Sequence, residues 1–244
     1  MKTLLLTVAG TSSRFSKSIG RDCLKCIYNE NGAEESLLYR AVYKQPFDRY
    51  IIVGGYRFGE LKEFVGKYFK DICDKIVLIE NAHFADYGSG YSLYLGLKYA
   101  VETGFDQLVF AEGDLWVDDE SFNKISVCAT DAVTFNRDTI FANKAVIFYY
   151  DTTNVIHYVY DTSHGALTID RPFLSVYNSG QIWKFTSHER LSQTFCELKD
   201  EEWQTTNLVF LQRYFQSTKG YAVIGIEKWL NCNTVEDFYK IGEQ

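Results

Sequence analysis

The 244-residue sequence contains only two prolines and no low-complexity linker that would divide it into separate domains. No apolar run approaches the length of a membrane-spanning helix. The apolar start, Met1–Leu6, is short and passes directly into small residues without a cleavage region, so we expect no signal peptide. Basic residues are also few: 25 lysines and arginines face 32 aspartates and glutamates, giving a net charge of −7. A nucleic-acid surface needs concentrated Lys and Arg to neutralise phosphates, so the charge argues against such a partner.

The six cysteines show no disulfide framework, because they are scattered along the chain at positions 23, 26, 73, 128, 196 and 232. A chain of this length does not need disulfides to fold, so we expect reduced thiols and a cytoplasmic protein. Cys23 and Cys26 have CxxC spacing. No second such pair and no histidine pair at zinc spacing accompanies them, which disfavours a structural zinc site.

Apolar and aromatic side chains are abundant, with 18 Tyr, 18 Phe and 4 Trp, enough to bury a large core. Uninterrupted apolar runs alternate with segments of helical period, which is typical of parallel strands covered by helices on both faces. We expect strands at 3–8, 50–53, 75–79 and 107–111, and helices at 35–44, 58–69 and 92–102. The pattern predicts a Rossmann-like three-layer α/β/α fold with a mostly parallel mixed sheet.

The second half of the sequence has a different pattern. Short runs rich in Phe, Tyr, Val and Ile between residues 131 and 160 predict additional strands that form a small β-rich lid. Residues 178–185 predict a return to the main sheet, followed by helices at 189–196 and 205–217. We therefore expect one domain over 1–244, with a first half at 1–125 and a second half at 126–244.

Small residues follow the first predicted strand, and two cations lie beyond them. The small residues are Ala9, Gly10, Ser12 and Ser13, and the cations are Arg14 and Lys25. Small side chains let backbone N–H groups approach an anion closely, and the cations match its charge. The segment is typical of a phosphate-binding loop, and a small-residue turn with two solvated cations is the alternative.

Two further strand ends carry candidate residues, where ligands of such sheets bind. Asp114 follows the strand at 107–111, and its carboxylate could hold Mg²⁺ or form a simple turn. The loop before the helix at 92–102 contains Gly88 and Gly90, which could admit a flat base against bare backbone. Ser92 could then bond the base or cap its own helix.

Taken together, these motifs resemble those of the nucleotidyltransferases that act on sugar phosphates and alcohol phosphates. The matching pieces are Ala-Gly-x-x-Ser-Arg-Phe from Ala9, the distal Lys25, Ser-Leu-x-x-Gly-Leu from Ser92 and Gly113-Asp114. Within that superfamily the chain is most similar to bacterial phosphocholine cytidylyltransferases. The similarity covers about the first 120 residues and returns at Asn233-Thr234-Val235.

The resemblance implies specific roles for these residues. Arg14 and Lys25 would bind the triphosphate and stabilise charge during attack at the α-phosphorus. Asp114 would carry Mg²⁺, the expected cofactor. Ala9, Gly10, Ser12 and Ser13 would form the nucleotide loop, with Gly88 and Ser92 at the base.

Two positions depart from the family pattern. Ser12 stands where a second loop glycine is usual, and we expect serine to be tolerated because it is small. Asn233 stands where a second metal-binding Asp is common, and a carboxamide offers Mg²⁺ an oxygen without the charge. Asp114 and the phosphates could hold the metal alone, Asn231, Glu227 or Asp237 could compensate, or activity could be lost.

The sequence and the resemblance together predict a cytidylyltransferase that transfers CMP from CTP to a small phosphorylated or phosphonylated alcohol or amine and releases pyrophosphate. Phosphocholine and 2-aminoethylphosphonate fit as acceptors. Trp116 and Trp203 are candidates for a cationic headgroup site, with the hydrophobic core as the alternative for each. A sugar-1-phosphate nucleotidyltransferase and a non-catalytic nucleotide-binding relative stay open as alternatives. We expect no nucleic-acid partner and no membrane insertion, and a homodimer stays open.

Overall fold

The structure is a computed structural model that describes residues 1–163 and 165–244. A mixed nine-stranded sheet forms the central layer, and a separate two-stranded sheet lies beside it. The strands are β1 (Lys2–Val8), β2 (Arg49–Gly54), β3 (Ile76–Glu80), β4 (Gln107–Glu112), β5 (Leu115–Val117), β6 (Ala132–Asn136), β7 (Ile147–Asp151), β8 (Ile156–Val159), β9 (Phe173–Phe185), β10 (Ala222–Gly225) and β11 (Trp229–Asn231). The α-helices are α1 (Ser13–Ile19), α2 (Leu37–Tyr43), α3 (Phe58–Tyr68), α4 (Ser89–Thr103), α5 (Asp119–Val127), α6 (His188–Glu197), α7 (Asp200–Trp203), α8 (Leu208–Ser217) and α9 (Val235–Gly242), and short 3₁₀ helices occur at Lys25–Ile27, Ala33–Glu35 and Lys70–Lys75.

The main sheet has the strand order β10-β6-β9-β4-β1-β2-β3. Strands β4, β1, β2 and β3 are parallel, whereas β9 runs antiparallel to both β4 and β6. The first half of β9 also pairs with β7, which pairs with β8, so these three strands extend beyond the main sheet. The three-layer α/β fold with a mixed sheet and a β-rich extension is therefore confirmed.

Burial of the central strands on both faces explains their uninterrupted apolar sequence. Side chains alternate across β1: Leu5 packs into the core beneath α4, α6 and α8, and Leu4 and Leu6 pack into the core beneath α2, α3 and α5. A third small cluster joins α1 to α9 through Phe15 and Phe238. This last contact ties the C-terminal helix to the segment that follows β1.

Helix α9 and the strands before it were not predicted from the sequence. A capping box forms the start of α9, because the Thr234 hydroxyl accepts the Asp237 N–H and the Asp237 carboxylate accepts the Thr234 N–H. Strand β11 pairs with β5 immediately after β4. The C-terminal segment is thereby fixed beside the carboxyl end of β4.

Within the described residues, no helix combines the length and apolar character that crossing a membrane would require. All six cysteines are free thiols. Burial raises the pKa of both Cys26 and Cys232 to about 12, so these two thiols stay protonated at neutral pH.

Candidate functional site

A cleft of about 260 Å³ lies at the carboxyl ends of β1 and β4, and we call it the β1–β4 cleft. Parallel strands end at the same edge of the sheet, so the loops that follow them converge there. Its lining includes seven residues that the sequence predicted for the site: Ala9, Gly10, Ser12, Lys25, Gly88, Ser92 and Asp114. Tertiary structure thus brings together segments that are about 100 residues apart in sequence.

An ion pair between Lys25 and Asp114 lies in the β1–β4 cleft. The Lys25 Nζ donates to Asp114 Oδ2 at 2.9 Å, and the two side chains are 15% and 27% exposed. The other carboxylate oxygen, Asp114 Oδ1, is buried and has no hydrogen-bond partner among the described residues. A buried carboxylate oxygen without a donor is costly unless a ligand or ion satisfies it. Asp114 therefore offers an unused oxygen to a cation.

Glu112 lies two residues before Asp114, directly before the Gly113-Asp114 motif, and no role was predicted for it from the sequence. Burial, and secondarily the negative charge of Asp114, raise the pKa of Glu112 to about 7. The Asn207 Nδ2 donates to Glu112 Oε1 at 2.8 Å, and the Asn207 backbone N–H donates to Ser89 Oγ at 3.1 Å. Asn207 therefore joins the end of β4 to the start of α4.

The loop after β1 positions Lys25. Ser12 has a left-handed backbone conformation with φ 55°, which explains why glycine is usual at this position. The Ser12 Oγ accepts the backbone N–H of Lys25 at 3.1 Å. Serine is accommodated here through this hydrogen bond as well as through its small size.

Close packing against another backbone segment explains why glycine occurs at positions 88 and 90. The Gly88 N–H donates to the carbonyl of Gln204 at 2.8 Å, and the Gly90 N–H donates to that of Thr205 at 2.9 Å. A Cβ at either position would collide with backbone carbonyls of residues 203–206. The glycines admit the segment between α7 and α8, and Gly88 also lines the β1–β4 cleft.

Ser92 lies inside α4 and not at its start, because the helix begins at Ser89 with Gly88 as its N-cap. Its Oγ accepts from Asn81 Nδ2 at 2.9 Å, and both side chains are buried in the wall of the β1–β4 cleft. Helix capping by Ser92, the alternative raised from the sequence, is therefore wrong. Asn81 was missed because nothing in its local sequence separates it from an ordinary loop residue.

A second cavity of about 550 Å³ lies beside the first, and we call it the β9–β11 cavity. Its lining combines cations, carboxamides and hydroxyls from distant segments. These include Arg14, Asp138, Thr139, Phe141, Lys144, Asn178, Gln181, Trp229, Asn231, Asn233, Asp237 and Lys240. The volume falls within the range of small-molecule sites.

Arg14 and Asn233 both line the β9–β11 cavity, so the structure separates Arg14 from Lys25. The backbone N–H of Asn233 donates to Asp237 Oδ2 at 3.0 Å, and its Nδ2 donates to Asn231 Oδ1 at 2.9 Å. The Cys232 N–H donates to the Asp114 carbonyl at 2.8 Å. The segment containing Asn233 is therefore adjacent to Asp114 through its backbone.

Three predicted residues lie elsewhere. Ser13 lines a shallow surface depression with Lys17 and Arg21. Trp116 lines a small cavity beneath α2, where Lys44 Nζ is 5.5 Å from its ring centroid. Trp203 is 3% exposed and packs in the hydrophobic core, against aromatic rings of Tyr94, Phe195 and Phe210. Trp203 follows the core alternative raised from the sequence, since its ring has almost no exposed surface.

Tyr160, just after β8, is a candidate site residue that the sequence did not single out. Burial and then the charge of Glu112 raise its pKa, while the charge of Arg14 lowers it. Tyr160 is therefore close enough to feel the charges of Glu112, which lines the β1–β4 cleft, and of Arg14, which lines the β9–β11 cavity. Only tertiary structure identifies it.

The oxygen-bearing side chains near Asp114 are the possible ligands of a divalent cation at this junction. No group of three His, Cys, Asp or Glu residues suited to a metal occurs within residues 1–163 and 165–244. Mg²⁺, however, is commonly held by one or two carboxylates together with substrate phosphates and water. The buried and unpartnered Asp114 Oδ1 fits that mode of binding.

Comparison with known proteins gives a family and a fold. A family model described as Domain of unknown function (DUF6564) matches residues 21–244. No curated protein matches the chain.

Solved structures match over nearly the whole length. One is the inositol-1-phosphate CTP transferase from T. maritima, 17% identical over 100% of this chain and 97% of that chain, with a TM-score of 0.70. A putative glucose-1-phosphate thymidylyltransferase from Bacillus anthracis is 16% identical over 100% and 94%, with a TM-score of 0.65. The CTP:phosphocholine cytidylyltransferase from Streptococcus pneumoniae is 13% identical over 99% and 98%, with a TM-score of 0.63. At sequence identities this low, the structural similarity establishes a shared fold alone.

Proposed function

The chain belongs to the family described as a domain of unknown function (DUF6564), and we propose that this member is a nucleotidyltransferase. It would transfer CMP from CTP to a small phosphate- or phosphonate-bearing alcohol or amine and release pyrophosphate. The observation that carries the proposal is the Lys25–Asp114 pair, with its unpartnered Asp114 Oδ1, at the carboxyl ends of β1 and β4.

The two adjoining cavities support a reaction between two bound substrates. In our proposal the nucleotide occupies the β1–β4 cleft, which contains Ala9, Gly10 and Ser12, and the acceptor occupies the β9–β11 cavity. The two sites are joined where the Cys232 N–H donates to the Asp114 carbonyl. The α-phosphorus and the acceptor oxygen would meet at this junction.

The chemistry suits the charged residues of the site. A phosphate or phosphonate oxygen is already an anionic nucleophile, so the reaction does not need a general base. The enzyme must offset repulsion between two anions and align them, and cations held in a partly buried site do this well. Lys25 would bind the nucleotide phosphates. Arg14, which lines the other cavity, would bind the acceptor.

Mg²⁺ is the proposed cofactor, with Asp114 as its carboxylate ligand. When bound it would neutralise phosphate charge and help to hold the triphosphate in position. Asn233 is proposed to contribute through its carboxamide oxygen, since its Nδ2 already donates to Asn231. Lys25 would be released from Asp114 when that carboxylate binds Mg²⁺.

The choice of CTP rests on the sequence resemblance and agrees with two of the similar structures. The proteins from T. maritima and Streptococcus pneumoniae are described as using CTP, with inositol 1-phosphate and phosphocholine respectively. The protein from Bacillus anthracis is described as a putative glucose-1-phosphate thymidylyltransferase, which makes a sugar-1-phosphate enzyme the second candidate.

The test is pyrophosphate release from CTP, UTP, ATP and dTTP with Mg²⁺, against phosphocholine, 2-aminoethylphosphonate, inositol 1-phosphate and glucose 1-phosphate. We expect turnover with CTP and one of these acceptors. Turnover with dTTP or UTP and glucose 1-phosphate would establish the second candidate. Nucleotide binding by calorimetry without pyrophosphate release would favour a non-catalytic relative, consistent with the missing carboxylate at Asn233.

A variant tests whether the activity belongs to this site. Lys25→Met should lower kcat/KM about 10²- to 10³-fold, because it removes a cation that offsets phosphate charge. Lys62→Met, which removes an exposed cation from α3, is the control and should leave turnover unchanged. Equal turnover in both variants would contradict the assignment of the site, even if the reaction is correct.

A further inference from the structure

Gln181 has an unusual backbone conformation for a residue in the middle of a buried strand. Its φ is 54°, in the left-handed region that non-glycine residues seldom adopt. It lies in β9, which pairs antiparallel with β4, and Ile182 is opposite Ala111. Gln181 is therefore level with Glu112, at the carboxyl end of β4. A strained conformation that persists beside a candidate site motivates a functional explanation.

A bulge in β9 holds Gln181 in this conformation. Between the pairs formed by Phe135 with Ser179 and by Val133 with Trp183, β9 contains two more residues than β6. The Gln181 N–H donates to Ser179 Oγ at 3.1 Å. β9 stays paired within the sheet on both sides of the bulge. At the bulge, the regular alternation of side chains between the two faces of the sheet is interrupted, and Gln181 lines the cavity.

The Gln181 residue is largely buried, and its side-chain amide has no hydrogen-bond partner among residues 1–163 and 165–244. The residue is 4% exposed and lines the β9–β11 cavity. In the part of the chain that the structure describes, neither its Oε1 nor its Nε2 makes a hydrogen bond to protein. Neither atom belongs to the fully buried polar atoms without a partner, so the carboxamide is open to the β9–β11 cavity and available to a ligand there. An amide both donates and accepts, so a hydroxyl group is its natural partner.

The rest of the cavity favours an anionic acceptor with hydroxyl groups over a quaternary ammonium compound. Three cations, Arg14, Lys144 and Lys240, line it against two carboxylates, Asp138 and Asp237, so its charge balance disfavours an alkylammonium group. Binding of such a group also needs free aromatic faces. Phe141 already has the Lys144 ammonium 5.0 Å from its ring centroid, and Trp229 packs against the buried core beneath β4 and β1.

We propose that Gln181 is a specificity-determining residue of the acceptor site and that its amide hydrogen-bonds a hydroxyl of a polyhydroxylated phosphate. This inference rests on the proposed nucleotidyltransferase function. It narrows the acceptor from any small phosphorylated alcohol or amine to one that presents hydroxyl groups to β9.

The experiment measures pyrophosphate release with CTP and Mg²⁺ for three probe acceptors: inositol 1-phosphate, glucose 1-phosphate and phosphocholine. The wild-type chain should use at least one hydroxylated phosphate in preference to phosphocholine. In Gln181→Met, which keeps the side-chain volume and removes the amide, the KM for that acceptor should rise at least tenfold. The KM for CTP should stay within twofold, because the nucleotide occupies the other cavity.

Two further variants separate hydrogen bonding from folding. Gln181→Gly accepts φ 54° without strain, so it should fold and show the same loss of acceptor affinity. Gln193→Met removes a carboxamide from the exposed surface of α6 and should match the wild type. A purely structural role for Gln181 would lower thermal stability without raising the acceptor KM selectively.

The failure of this inference differs from failure of the proposed function. Pyrophosphate release with phosphocholine alone, or an unchanged acceptor KM in both Gln181 variants, would overturn the role of Gln181 and leave the nucleotidyltransferase activity intact. A chain that binds CTP but uses none of the three probes overturns the inferred acceptor class. A chain that neither binds CTP nor releases pyrophosphate overturns the proposed function, and the inference with it.

Discussion

The β1–β4 cleft and the β9–β11 cavity adjoin each other across the β5–β11 pair but are built differently. The cleft uses loops that directly follow parallel strands, and Lys25 is joined to Asp114 within it. The cavity collects residues from five distant segments: 14, 138–145, 178–181, 229–234 and 237–240. The parallel order of β4, β1, β2 and β3 is enough to form the first, whereas the second requires the C-terminal half to fold back beside β4.

The two regions also differ in chemistry. Each carboxylate of the cleft has a single compensating partner: Lys25 for Asp114 and Asn207 for Glu112. The cavity instead presents carboxamides and cations, of which the Gln181 amide is unpartnered within the described residues. We infer from this difference that the cleft offsets the charge of the nucleotide phosphates. The cavity would select the acceptor by its shape and its hydroxyl groups.

The largest effect is expected from Asp114→Asn, which removes the charge from the cleft. Lys25 loses its partner and Mg²⁺ loses its carboxylate ligand, so kcat/KM should fall at least 10³-fold, equivalent to about 4 kcal/mol of transition-state free energy. Pyrophosphate release measures this, with Asp119→Asn on the exposed start of α5 as control. Normal turnover in Asp114→Asn would show that catalysis depends on the other cavity.

Asn207→Leu should have the next largest effect, because it leaves the half-buried Glu112 carboxyl without its hydrogen-bond donor. The free energy of unfolding should fall by about 2 kcal/mol. Urea denaturation measures it, and Asn123→Leu on the exposed face of α5 is the matched control. Equal stability of the two variants would mean that α8 and the end of β4 are not coupled through Asn207.

Arg14→Met tests the separation of the two cations directly. Because Arg14 lines the β9–β11 cavity, the acceptor KM should rise about tenfold, and the CTP KM should change less than twofold. Steady-state kinetics with each substrate varied in turn gives both values. A rise in the CTP KM instead would support the role in triphosphate binding that the sequence predicted for Arg14.

The smallest expected effect concerns the left-handed Ser12. Both Ser12→Gly and Ser12→Ala lose the hydrogen bond to the Lys25 N–H, but only alanine retains the strain of φ 55°. The alanine variant should therefore be less stable than the glycine variant by about 1 kcal/mol in thermal or urea unfolding. Identical stabilities would show that the loop relaxes to another conformation.

The fold and most of the β1–β4 cleft could be predicted from the sequence. Apolar runs such as 3–8 and 107–111 identify strands buried on both faces, and the residues directly after them must lie at one edge of the sheet. Asp114 was predicted in this way, whereas Lys25 was predicted as a cation beyond the small-residue loop. Glu112 was adjacent to a recognised motif, but its burial, which raises its pKa, is not visible in a sequence.

Other assignments failed where side-chain direction decides. Ser92 was taken for a residue at a helix start, yet α4 begins three residues earlier. Gly88 could be recognised as a position of close backbone approach, but its approach to the 203–206 segment could not be seen in the sequence. An aromatic residue such as Trp203 carries no local signal that distinguishes a core position from a binding position.

The sequence by itself determined the alternation of strands and helices, and with it the three-layer sheet and the cleft at the carboxyl ends of β1 and β4. Periodicity and small residues are local properties, so they act whatever the rest of the chain does. Only the tertiary structure decided that Arg14 and Lys25 lie in different cavities and that Gln181 enters the β9–β11 cavity. Those outcomes depend on the register of β9 against β4 and on the pairing of β11 with β5, which are set by contacts between residues far apart in the chain.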